Sequence, residues 1–182
     1  MHAPAKTGGP IGRPNASHAQ RIERLFVGQV RGFGGNGRTS AIDKQPIPGP
    51  WHIATTGLRG DEQADTRHHG GPDKALHHYS RDHYATWRRE LPAAREALRT
   101  APAFGENIST HGLSEADICI GDVFCLGDVI LQVSQGRQPC WKLNIRFGVS
   151  DMALRVQRSG RTGWYYRVLE PGVVEPGDIL RL

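Results

Sequence analysis

Cysteine is scarce in this chain. Three residues in 182 (Cys119, Cys125 and Cys140) are too few, and odd in number, for a disulfide scaffold. The expected setting is reducing and cytoplasmic, with at least one thiol free. Long apolar runs are also missing. The most apolar stretch, 118–133, is broken by Asp122 and Asp128, so nothing approaches the roughly 18 uncharged residues of a membrane helix, and no membrane partner is expected. The N-terminus has no apolar core of the signal-peptide kind. Long helices and coiled coils are excluded by 23 Gly and 12 Pro. Acidic residues are absent from positions 1–22, where Lys6, Arg13 and Arg21 carry three of the net +5 charges. Too little excess charge remains for the basic face that a nucleic-acid binder gathers, so nucleic acid is not an expected partner.

What is present fits one modest core, with 37% apolar and 23% charged residues. Residues 1–22, rich in Gly, Pro, Ala and small polar residues, read as a disordered tail, and 23–182 as the folded domain. Strands are expected at 24–30, 51–56, 164–169 and 179–182. Val123–Leu126 and Val129–Val133 flank Gly127-Asp128, a two-residue hairpin signal. A helix is expected over 73–91, from the approximate 3.6 period of Leu76, His83/Tyr84, Trp87 and Leu91, with Asp73 as N-cap. Pro92 opens a second short helix through Arg99, and a third is expected over 151–157, ending near Gly160. Many short strands with a few helices between them make a mainly β fold with helical insertions (α+β), a closed or partly closed β-barrel.

Three segments invite chemistry. The glycine cluster 32–37 fits Gly-x-Gly-x-x-Gly, but Pro46, Pro48 and Pro50 leave little room for the helix a phosphate loop needs, which favours a plain loop. His68, His69, His77, His78 and His83 cluster with Asp65, Asp73 and Asp82, yet no two of these histidines stand four residues apart as helix-borne zinc ligands do. The turn 68–73 still delivers two imidazoles and a carboxylate to a helix start. The segment 134–145 is the richest. If it stays extended after Pro139, Trp141, Leu143 and Ile145 point into a core, and Cys140, Lys142 and Asn144 share the other face. Arg137 lies just upstream. Cations beside a thiol favour thiolate, which suits either a nucleophile or a soft metal ligand near a phosphate-bearing cofactor; a small buried strand thiol is the plain alternative.

The residues Gly60-Asp61-Glu62-Gln63-Ala64-Asp65, His69-Gly70-Gly71-Pro72-Asp73-Lys74-Ala75, 78–84, 103–110 and 132–140 resemble the MOSC domain (molybdenum cofactor sulfurase C-terminal), and within it the YiiM-type proteins, over roughly 25–182. The resemblance implies a MOSC, pyruvate-kinase-barrel-like β-barrel holding the molybdenum cofactor (molybdopterin), with Cys140 as metal ligand and no flavin or haem in this chain. It implies reduction of N-hydroxylated compounds (hydroxylamino-purines, amidoximes), a detoxification, with electrons from a separate flavoprotein. Arg137, Lys142 and Asn144 are then expected on the cofactor's phosphate and pterin edge. His68, Gly70, Gly71, Glu106 and Asn107 are expected around the cofactor, and Asp73 or His69 in proton handling. The alternative is a cofactor-binding or sulfur-carrier module without turnover of its own. Self-association as a homodimer is left open. Two departures from the family pattern stand out: Gly136 occupies the place of a Pro before the Arg, and longer members continue into a helical region beyond the equivalent of Leu182.

Overall fold

The computed structural model describes residues 19–182, which form a mainly β fold with helical insertions. Its main sheet has seven strands in the order Ala19–Arg21, Ile179–Arg181, Val123–Leu126, Val129–Gly136, Trp164–Glu170, Leu76–Ser80, Ile108–Thr110, and it curls into a nearly closed barrel. All its pairings are antiparallel except the last, where His78 stands opposite Ile108 in parallel register. The expected hairpin is present: Leu126 pairs Val129 across the Gly127-Asp128 turn. Val129–Gly136 alternates buried and half-buried along most of its length, the period-2 pattern of a strand with one face in a core.

The helices are α1 (Thr66–His69), α2 (Asp82–Glu90), α3 (Lys142–Phe147) and α4 (Met152–Ser159). Both α3 and α4 end at glycines in the left-handed conformation, Gly148 and Gly160.

The core has two parts. Inside the barrel, Leu25, Trp51, Leu76, Phe124, Leu131, Trp164 and Tyr166 pack together. On the helical side, Tyr79, Tyr84, Trp87, Phe104, Leu143, Phe147 and Met152 form an aromatic-rich cluster, with Tyr79 and Phe104 stacked at 4.0 Å. The strand Leu76–Ser80 lies between them and is buried on both faces. Leu76 faces the barrel and Tyr79 the second cluster, so two apolar residues three apart imitate a helical stripe. The helix expected over 73–91 is therefore corrected: 76–80 is strand, and only Asp82–Glu90 is helix. Asp73 is not an N-cap but lies inside a single 3-10 turn, Pro72–Lys74. The helix expected over 92–99 shrinks to the turn Pro92–Ala94.

Two further corrections concern the chain's ends and its richest segment. Residues 1–18 of the expected tail lie outside the described residues, but Ala19–Arg21 is a strand and Ile22 is core, so order begins before 23. Segment 139–145 is not extended. Pro139 biases only the residue before it, and helix α3 starts at Lys142. The alternation expected there fails accordingly: Trp141 is exposed, while Lys142 and Leu143 are both buried. The glycine cluster 32–37 is the tip of a small hairpin, Arg31–Gly32 with Thr39–Ser40, and no helix follows it. No helix among the described residues is long and apolar enough to cross a membrane.

Candidate functional site

Between the barrel mouth and α3 lies an open pocket with a cavity volume of about 80 Å³. The stretch 137–142 leaves the barrel strand Val129–Gly136, crosses the opening and enters α3. That path brings Arg137, Cys140 and Lys142 to one wall. Arg137 is anchored by its backbone N–H donating to Gly163 O at 2.9 Å. The residue is 7% exposed, and its Nη1 is buried with no hydrogen-bond partner among the described residues. Cys140 is a free, half-buried thiol at the lip. It lines both this cavity and an outer groove running toward α4.

His69, at the end of α1, also lines both spaces. Its burial and the nearby charges of Lys142 and Arg137 push its pKa down to about 4, so it is a neutral imidazole at physiological pH. The same charges define the site as electropositive. Tyr165, across from Arg137, has its phenol pKa raised by burial, against the pull of that guanidinium. His77 is fully buried in the wall. Burial, then Arg137, holds it neutral, and a hydrogen bond to the Gly105 backbone opposes them. Its Nε2 lacks a partner among the described residues.

The opposite wall is of another kind. Lys44 and Asp61 form a buried ion pair there. Asp61 also accepts the Gly28 N–H at 2.7 Å and the Asn107 side-chain amide at 2.9 Å. Burial lowers the Lys44 pKa, and Asp61 opposes that shift. Sequence reasoning did not single out Lys44, Asp61 or Tyr165 as site residues, and met His77 only as one of the clustered histidines. The four come from distant segments; Asp61, inside the stretch 60–65, and His77 carried the only signals.

Of the residues expected at the site, Cys140, Arg137, Lys142, His69 and Asn107 come together around the cavity. The others do not. Asp73 is exposed and lines neither space; its carboxylate accepts from Arg167 Nε at 2.8 Å. Asn144 is turned away by α3 and joins α3 to α4, donating to Ser150 O at 2.7 Å and accepting the Ala153 N–H at 2.8 Å. Glu106 is fully buried behind the wall, accepting from the Tyr84 hydroxyl and, at 2.9 Å, from the Phe104 N–H. Burial raises its pKa, which the Tyr84 hydrogen bond opposes. Gly70 and Gly71 line neither space. His68 lies in α1, but its side chain is outside the described part of the structure. Even Asn107, though it faces the cavity, spends its amide on the scaffold. It accepts the His77 N–H at 3.0 Å and donates to Phe26 O at 2.9 Å as well as to Asp61.

No group of three or more His, Cys, Asp or Glu among the described residues is arranged to hold a metal ion. The histidine-rich segment therefore makes no protein-built metal centre there: His78, for example, sits between the Tyr166 hydroxyl and Thr110 Oγ1. A metal brought in by an organic cofactor needs less from the chain. One soft donor and a cationic cradle are the parts that Cys140, Arg137 and Lys142 supply.

Known proteins resemble this chain in sequence and in fold. The profile of the MOSC domain matches residues 65–181. Protein YiiM of Escherichia coli is 46% identical over 158 residues, a match spanning 87% of this chain and 70% of YiiM. A protein named reductase from Gibberella moniliformis is 44% identical over 174 residues, 95% of this chain but 30% of that protein. The crystal structure of YiiM from Escherichia coli superposes with a TM-score of 0.71 at 39% identity, covering 89% of this chain and 69% of that one.

Proposed function

This chain belongs to the MOSC domain family, and from that premise we propose that it is a molybdenum-cofactor-dependent oxidoreductase that reduces N-hydroxylated compounds to amines. One observation carries the reading. A free thiol at the cavity lip stands in the same wall as a buried guanidinium with an unpartnered N–H. A buried donor left unpaired costs about 1–3 kcal/mol, and an anionic group of a ligand would relieve that cost.

The residues present fit the cofactor. Cys140 would hold the metal, and Arg137 and Lys142 the phosphate and pterin edge. When bound, the cofactor supplies two-electron redox chemistry at a transition metal. The overall reaction is R–NH–OH + 2 H⁺ + 2 e⁻ → R–NH₂ + H₂O, with the electrons coming from a separate flavoprotein. The chain's own part is to bind, orient and exclude water. His69 offers an uncharged hydrogen-bonding edge at the opening. Asp73 lines neither space and is paired with Arg167 at the surface, so no role is assigned to it.

The test is Cys140→Ser in protein produced with molybdate. Bound molybdenum, measured by elemental analysis, and reduction of a hydroxylamino-purine with an artificial reductant are both expected to be lost. Full-rate turnover by the variant would overturn the ligand assignment. Wild-type protein that holds molybdenum yet reduces nothing would favour a cofactor-binding module without turnover.

A further inference from the structure

The glycine hairpin and Trp141 take no part in the function proposed above, yet the structure joins them. Trp141 follows Cys140 directly and is 42% exposed, whereas Trp51, Trp87 and Trp164 are each at most 2% exposed. Its indole is not loose. The Arg38 guanidinium carbon lies 5.2 Å from the ring centroid, and the Phe33 ring lies 6.3 Å away. Both come from the hairpin 31–40, which is closed by Phe33 N–H donating to Arg38 O at 2.8 Å. The hairpin tip is seated on α3. Gly34 has φ +67°, and a Cβ there would stand 2.5 Å from Ile145 Cδ1, so both conformation and space call for glycine. The sequence thus invests a shaped hairpin in fixing one exposed aromatic ring beside the cysteine.

That ring forms part of the outer groove. With Leu154, 46% exposed on α4, it gives the groove two apolar surfaces; Gln138 and Gln157 add amides, and Asp65, Arg67 and Lys74 add charges of both signs. The groove meets the inner cavity at Cys140. A fixed aromatic surface with hydrogen-bonding side chains beside it suits a flat ring whose edge makes hydrogen bonds.

We propose that the hairpin 31–40 positions Trp141 as a stacking platform for the substrate's ring, making Trp141 the residue that selects aromatic over aliphatic N-hydroxylated compounds. This rests on the reductase reading above. The test compares benzamidoxime with acetamidoxime, which share the reacting group and differ in the ring. In the cofactor-loaded full chain, Trp141→Ala is expected to lower the benzamidoxime-to-acetamidoxime ratio of kcat/KM about tenfold, through KM. Trp141→Phe should restore most of the ratio, and Arg38→Ala should lower it by a smaller factor. A second readout needs no turnover. Benzamidoxime should quench the solvent-exposed component of tryptophan fluorescence in both loaded and cofactor-free protein, and Trp141→Phe should abolish that quenching. An unchanged ratio in Trp141→Ala, or absence of quenching by benzamidoxime, overturns the platform. Quenching that depends on Trp141 and weakens in Arg38→Ala, in a protein that reduces neither compound, supports the platform while the reductase reading fails.

Discussion

The two walls of the cavity are built on opposite plans. In the wall of Lys44, Asp61 and Asn107, polar groups are tied to one another. Asp61 takes hydrogen bonds from Gly28, Lys44 and Asn107, and Asn107 in turn ties Phe26 and His77. In the wall of Arg137, Cys140 and Lys142, a buried guanidinium is left with a free N–H and a thiol sits at the opening. Buried polar groups with every partner present hold a fold in one arrangement; a buried donor without one is waiting for something the chain does not supply. The first wall is scaffold with charges in it. The second is the wall that the proposed function assigns to a ligand.

The sharpest way to break this contrast is to cut the saturated wall. Asp61→Ala strands the Lys44 ammonium in a buried place and leaves the Gly28 N–H and the Asn107 amide short of an acceptor. Removing one member of such a pair is expected to lower the unfolding free energy by about 3–5 kcal/mol, read from urea unfolding. A loss under about 1 kcal/mol would mean that this wall is no scaffold.

The matching cut in the other wall should go differently. Arg137→Met removes a buried charge with an unpartnered N–H and keeps a side chain of similar length. In cofactor-free protein, unfolding free energy is expected to change by no more than about 1 kcal/mol, because relief of the unpartnered N–H offsets the lost hydrogen bond to Tyr165. Molybdenum retention should fall at the same time. If Arg137→Met instead destabilised the empty protein as much as Asp61→Ala, the two walls would not differ in kind.

The same contrast explains what could be read in the sequence. Arg137, Cys140 and Lys142 lie within six positions, so their company was visible even though the segment is helix rather than strand from Lys142 on. The saturated wall draws on residues 28, 44, 61 and 107, and nothing local says that these meet. In the fold, too, local signals carried through. The Gly127-Asp128 hairpin, the strand at 164–169 and the helix after Asp151 each obey their own period and turn chemistry. Leu76–Ser80 did not carry through, because a strand with a core on each side loses its alternation, and the spacing of Leu76 and Tyr79 then imitates a helix. The places expected for Asp73 and Glu106 differ from those observed for a related reason: neither lines the cavity. Motif membership places a residue in the chain, but only packing decides which way its side chain turns.

Asp73 gives the smallest expected effect and closes the comparison from outside both walls. It sits in the turn Pro72–Lys74, with its carboxylate on Arg167 at 2.8 Å; the two side chains are 60% and 40% exposed. An ion pair this open is screened by water and is worth at most about 1 kcal/mol. Its backbone carbonyl also ties the turn to the barrel, by accepting from Ser134 Oγ at 2.5 Å. Asp73→Asn keeps that carbonyl and the size of the side chain. Unfolding free energy is therefore expected to fall by less than about 0.5 kcal/mol, and kcat/KM for a hydroxylamino-purine to stay within about twofold. A fall of tenfold or more in kcat with stability intact would put Asp73 back among the proton-handling residues. The surface turn, rather than either wall, would then have to reach the reacting group.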